Sequence, residues 1–563
     1  MRITNKIMRN NSLYNINQNK MLEDQLSNQM TNQSKIVRPS DDPVVAIRAL
    51  RLRSNVTNVS QYYDKNSPDA EQWLTVTGDA LDTIDEVLED LYKQASTASN
   101  KYLTSDDLQI ILTQMESLTK EFYASGNVDY AGRYVFSGFR TDTAITFSAE
   151  DIAEMGRHPV SYEIQEDINY ADISTINYTD YDVVTDGMPA GAGASESYEQ
   201  YVTNNTLYRF RLSYDSVDGA DSLQVDDTDT LTLTDKDGNR LEWTRKVKTD
   251  ASGNPLDKNG NVLPNPLPEG SDPAMVEETV LKDSAGNVIT SGNPLVGVNI
   301  KKYDDAEEAY KAVANGAAGI AFIPSSGELV FSEQFYQAQY KEGDSFQITY
   351  SKSSWMEGDI NPVHYFKCTE TKDDGSKIAY NTVKQDQDIF YDVGFNQQIQ
   401  VNTVANEVFT HNVRRDMDDF QHCLKELKAI ETKKSDIEKK MSEVEEDSAD
   451  YKKLEKQLAA VEKADTYIRD SIQTKFENQI TKYQTYMDDT NVAITNNATR
   501  GSRLDLISTR LMNQKATFKE LQTNNEDIDI TEVAVELSSS ELTYQAALMA
   551  TSKIMQTNLM NYI

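Results

Sequence analysis

Glycine and proline are nearly missing from both ends of this chain. Of its 24 glycines only Gly78 and Gly501 lie outside residues 126–394, and no proline follows Pro362. These are the two strongest helix breakers, so their scarcity in 1–125 and 395–563 lets apolar periodicity run for many turns. Cysteine is scarce as well. Cys368 stands beside strand-like sequence and Cys423 in a helical stretch, which excludes a disulfide framework or a zinc spacing. No run approaches about 18 consecutive apolar residues, so no helical membrane span is expected. The start MRITNKIMRNNSLYNINQNK has neither an apolar stretch of about seven residues nor a small-residue cleavage site, so no cleaved secretory signal is expected either.

Positive charge is short in the middle. Residues 141–400 hold 45 acidic against 19 basic side chains, whereas 1–60 hold 4 acidic against 9 basic, within a chain whose net charge is -36. An acidic middle repels phosphate backbones, so nucleic acid is not an expected partner, and a solvated outer surface is the simpler reading. The apolar content of 38% is low for a single compact body of 563 residues.

What is present is heptad-like order at both ends. Residues 1–36 read as one weakly amphipathic helix with a thin apolar stripe of Ile3, Ile7, Tyr14, Met21, Leu22 and Leu26, and amides fill 12 of the first 35 positions. The final segment repeats Leu548, Met555 and Tyr562 every seven residues, with Tyr544 and Thr551 at the intervening spacing. Two such marginal helices gain stability by pairing and then packing against other copies, which makes these apolar residues the candidate assembly interface. Asp42 is a good N-cap and Pro43 a good first helical residue. Beyond them Leu74, Leu81, Leu88 and Ala95 alternate with Thr77, Ile84 and Leu91, followed by Leu108, Ile111, Met115, Leu118 and Phe122; Leu504, Ile507, Leu511, Phe518 and Leu521 answer from the other end.

The middle reads as β-structure. Thr230–Thr234 alternates apolar and polar, Asp237-Gly238 supplies a turn, and Leu241-Glu242-Trp243 follows, which together read as a hairpin. A short helix is expected over 305–314, before a strand pair at 320–323 and 328–331. Residues 425–490, rich in lysine and glutamate, fit either an α-hairpin or one long helix. The expected fold class is therefore α+β and multidomain: an elongated antiparallel helical bundle or coiled coil made by both chain ends, with a β-rich central insertion. The expected parts are 1–40 with 530–563 as terminal coiled-coil helices, 41–140 with 400–529 as the bundle, including the charged segment 425–490, and 141–399 as the β-rich centre.

Several patches resemble one family. Ser34–Val56, SKIVRPSDDPVVAIRALRLRSNV, is similar to the start of the N-terminal bundle in the flagellin superfamily, and Pro43 after the double aspartate is more like its hook-associated protein 3 branch. Gly132–Thr143, GRYVFSGFRTDT, looks like that branch's exit from the helical arm. Tyr391–Gly394 with Ile399–Asn402 and Glu407–Phe409 resembles its return strand, and Asp527–Ile530 through Tyr544–Leu548 and Lys553-Ile554 its terminal helix. The resemblance samples both arms and implies a structural, non-enzymatic subunit at the hook–filament junction of a secreted, motility-driving bacterial flagellum. It further implies export through the flagellar type III apparatus with an export chaperone, self-association into a ring, and contact with hook-associated protein 1 and with flagellin. Two other readings are a flagellin and a filament-borne enzyme or adhesin active in the middle.

Chemical motifs are few. None of His158, His364, His411 and His422 stands in H-E-x-x-H. Asp235-Lys236-Asp237-Gly238 has Leu233 and Thr244 where a calcium loop needs carboxylates, and Gly316–Gly319 lacks the lysine of a phosphate loop. No catalytic residue, metal ligand or cofactor is expected.

Overall fold

A computed structural model describes residues 2–169, 172–188, 197–218, 228–268, 271–293, 295–317, 319–339, 345–381, 387–446 and 448–556. By its contacts the chain divides into two compact units. A terminal unit comprises 1–72, 390–401 and 499–563, and a central unit 73–389 with 402–498.

The terminal unit is built on α1 (Arg2–Asn32) and α11 (Ile530–Gln556). A bridge pairs Ser34 with Asp527, and the Lys35 amide donates to the Glu526 carbonyl at 2.7 Å, so α11 starts where α1 ends and the two pack along their lengths as an antiparallel pair. Next comes α2 (Pro43–Gln61), which starts as its cap residues require: the Asp42 carboxylate accepts from the Val44 and Val45 amides at 2.9 and 3.1 Å, and Pro43 occupies the first turn. Arg53 of α2 grips Glu526 with two guanidinium nitrogens. A hairpin of Phe390–Gly394 and Gln397–Gln400 completes the unit, held by Tyr391 on Asp69 and by the Asn66 side chain on the Asp392 carbonyl at 2.7 Å.

In the central unit the heptads of α3 (Ser67–Ala98) point inward. Leu74, Leu81, Ile84, Leu88, Leu91 and Ala95 are all buried. Here one of the two arm glycines finds its reason: a Cβ on Gly78 would sit 3.1 Å from the Asn497 amide nitrogen, which bonds the Leu74 carbonyl at 2.8 Å. The other, Gly501, has open space around it. Helix α4 (Ser105–Ala124) opens with a capping box between Thr104 and Asp107 and packs on α9 (Asn412–Ser442). The charged stretch resolves into two helices, α9 and α10 (Ala449–Glu526), rather than one. Their partners step in opposite directions, from Lys482–Asp416 through Phe476 stacked on Phe420 at 4.3 Å to Lys434–Glu462, so 425–490 is an α-hairpin.

Among the described residues the β-rich centre has two sheets. Strands β3 (Ser161–Asn169), β6 (Thr228–Thr234), β7 (Arg240–Val247), β8 (Met275–Lys282), β12 (Ser345–Lys352), β13 (Lys367–Thr371) and β14 (Lys377–Tyr380) form a seven-stranded antiparallel sheet in the order β14-β13-β3-β12-β6-β7-β8. The expected hairpin is there, with Leu231 opposite Trp243 and Gly238 at φ +81 in the turn. Strands β4 (Ser174–Asp180), β5 (Thr203–Arg211), β9 (Ile300–Lys302), β10 (Ile320–Ile323) and β11 (Glu328–Ser332) form a second sheet in the order β4-β5-β11-β10-β9. Apolar faces of the two sheets share one core, with Trp243 edge-on to Phe322 at 5.2 Å. Helix α7 (Ala306–Ala314), capped by Asp305, buries Ala309, Tyr310 and Val313 against the outer face of the five-stranded sheet. The centre is thus a helix on a two-sheet sandwich. The strict alternation of β5 serves both layers, Phe210 facing the sandwich and Leu207 facing α7.

Candidate assembly interface

Helices α1 and α11 each bury one face against the other and, among the described residues, leave an apolar stripe on the opposite side exposed. On α1 the buried residues are Ile16 and Leu26; on α11 they are Val533, Ser540 and Thr551, with Tyr544 half-buried. These positions form the seam between the two helices. At 3.6 residues per turn, Ile7, Tyr14 and Met21 fall on roughly the far side of α1, spaced seven apart, and all three are exposed. On α11 the residues Val535, Leu542 and Met549 repeat every seven and lie about half a turn from its seam, with Leu542 70% and Met549 69% exposed. Each helix of the pair therefore presents a second heptad stripe with no partner in the chain among the described residues.

The candidate residues thus divide. Ile7, Tyr14, Met21 and Leu22 are exposed on α1, whereas Leu26, at 5% exposure, belongs to the intrachain seam and is unavailable to another copy. Tyr544 lies on the seam side, and Leu548, 43% exposed, flanks it. Tyr562 lies outside the described residues, as do the side chains of Ile3 and Met555. Val535, Leu542 and Met549 did not figure in the sequence reading, although their seven-residue spacing carries the same signal as Leu548, Met555 and Tyr562. Which of two neighbouring heptads faces the partner is set by the pairing itself.

His364 and His411 are buried neutral: burial pushes His364 down to about 4, although its ring bonds the Ala144 carbonyl at 3.1 Å, and burial with Arg415 and Arg414 nearby pushes His411 down to about 3. Among the described residues no cluster of three His, Cys, Asp or Glu could hold a metal ion. One dense charge cluster is structural in geometry. Arg209 of β5 meets Glu328 and Asp419 at 2.5 Å each, and Arg211 meets Asp416 at 2.6 Å and Asp419 at 2.7 Å. Burial opposes the charge on Asp419, but the two guanidiniums overcome it and hold that carboxyl far below its usual range. Every cation there is matched by carboxylates, so the cluster fastens the five-stranded sheet to α9.

Comparison with known proteins bears on the arms. Residues 3–141 match the family described as the bacterial flagellin N-terminal helical region. Flagellar hook-associated protein 3 of Escherichia coli (strain K12) is 31% identical over 123 residues, which cover 22% of this chain and 38% of that protein. Its namesake in Salmonella typhimurium is 24% identical over 180 residues, covering 32% of this chain and 55% of that one. The chain thus spans between 38% and 55% of the length of the curated relatives it matches. Among solved structures, FlgL of Xanthomonas campestris aligns over 84% of this chain and 99% of its own at 11% identity, with a TM-score of 0.25.

Proposed function

We propose that this chain, which carries the bacterial flagellin N-terminal helical region and is related in sequence to flagellar hook-associated protein 3, is a structural subunit of the bacterial flagellum at the hook–filament junction. The observation that carries the reading is the α1–α11 pair: a flagellin-type N-terminal helix already matched to a C-terminal helix, both keeping a heptad stripe free. Stripes of this kind have no use in a solitary subunit and a direct one in a ring of copies. In that arrangement Ile7, Tyr14, Met21 and Leu22 meet Val535, Leu542, Met549 and the flanking Leu548 of a neighbour. Residues 1–40 with 530–563 form the polymerising coiled coil, 41–140 with 400–529 the supporting bundle, and 141–399 the β-rich part.

On the hook side such a ring contacts hook-associated protein 1, and on the other it receives flagellin. The subunit reaches its place through the type III export apparatus, escorted by a chaperone. No substrate is turned over; the work is mechanical. The test is gold labelling of an epitope-tagged chain on intact flagella. One band of label between hook and filament is expected, and label spread along the filament would replace this reading with that of a flagellin.

A further inference from the structure

Lys352, the last residue of β12, has a fully buried side chain. Its Nζ lies 3.6 Å from Asp215 Oδ1 and 3.8 Å from Asp359 Oδ2, and donates to the Asp215 carbonyl at 2.6 Å. The rings of Trp355 and Tyr214 close over it at 5.1 and 5.9 Å. Asp359 is as deeply buried, with Oδ1 at 2.8 Å from an Arg414 guanidinium nitrogen and Oδ2 accepting from the Met356 amide at 3.0 Å. The site described above does not draw on this group.

We propose that Lys352 and Asp359 are an autocatalytic cross-linking pair that condenses to an intramolecular amide once the central unit has folded. The inference is independent of the junction reading. An amine and a carboxyl buried from water lose the hydration that favours their charged forms, and burial drives the Lys352 ammonium down and the Asp359 carboxyl up, the direction in which the proton passes from amine to acid. The neutral amine is then a nucleophile. Its lone pair attacks Asp359 Cγ and the Nζ–Cγ bond forms. Negative charge gathers on Oδ1, where Arg414 already stands. Asp215 takes one proton from Nζ and returns it to the Oδ2 hydroxyl, the Cγ–Oδ2 bond breaks, and one water leaves with no change of oxidation state. A cavity of about 10 Å³ bordered by Asp215, Asp359, His411 and Arg414 adjoins the pair and is of the size one water needs.

Intact mass spectrometry of the purified full chain tests this. The expected mass is lower than that of the sequence by one water, about 18 Da, and Lys352→Met restores the full mass. Trypsin should fail to cut after Lys352, leaving 342–352 joined to 353–367. A full mass in the folded wild-type protein, or recovery of free 353–367, overturns the proposal. Asp215→Asn should slow the mass loss by at least about tenfold, as expected for removal of a general acid–base; an unchanged rate in a folded variant refutes its proton-carrying role, and a cross-link mapped to Asp215 refutes the assignment of Asp359.

Discussion

Replacing Leu542 by aspartate should separate assembly from folding. The side chain is 70% exposed, so its loss from the isolated subunit changes stability by no more than about 0.5 kcal/mol. Within a ring, burying a leucine in a coiled-coil contact contributes about 1.5–3 kcal/mol. A carboxylate forced into the same contact adds a desolvation term of a few kcal/mol unless it protonates. Taken together the contact weakens by on the order of 4 kcal/mol per copy, close to a thousandfold in each neighbour's affinity. The purified variant should melt with the wild type by circular dichroism. Cells carrying only the variant should show hooks without filaments under the electron microscope, with the variant and flagellin both in the medium. Normal filaments would show that the Val535–Leu542–Met549 stripe is not an assembly surface, whereas a melting temperature several degrees lower would place Leu542 in the chain's own packing.

Three further expectations follow from the central unit. Gly327→Ala should lower stability by about 3 kcal/mol in urea denaturation, because Gly327 has φ +58 and a Cβ there would lie 2.0 Å from the Tyr214 carbonyl oxygen; an unchanged midpoint would refute that close approach. Stability should fall on acidification below pH about 6.5, since both depressed histidines are neutral when folded and bind protons when unfolded, each contributing a slope of about 1.4 kcal/mol per pH unit down towards its folded value of about 4 or 3; in His364→Gln/His411→Gln the profile between pH 6 and 5 should flatten, and an identical slope would mean that other groups govern it. Excising 150–385 should lower the melting temperature of the remaining helices, because Asp416 and Asp419 lose Arg209 and Arg211, with Asp419→Asn recovering part of the loss; a deletion variant as stable as the parent would show that the buried ion pairs are dispensable.

Local signals in the sequence carried far. The Asp42 cap, the Leu74–Ala95 heptads, the helix after Asp305 and the Leu231–Trp243 hairpin were all legible, because each is decided by residues close together in the chain. Pairings across long separations were not. The contact of β5 with β11 joins residues about 120 apart, and nothing local to Arg209 and Arg211 distinguishes them from the solvent-facing polar residues of an alternating strand. The candidate interface lay between these cases. Heptads were visible on α11, but Leu548 and Leu542 sit on different faces, and only the geometry of the α1–α11 pair assigns one to the flank and the other to the outside.

The seam between the chain's two ends also governs when it can form. Arg53 holds Glu526, and Lys35 Nζ donates to the Asn524 carbonyl across 489 residues of sequence. Closing loops of that length is slow and cannot start before both ends are free in the same solution. A chain still being synthesised therefore cannot complete its terminal unit, and the α1–α11 seam stays open until both helices are free. Timing is thus written into connectivity: the terminal unit, which needs residues from both ends of the sequence, is the last part able to fold.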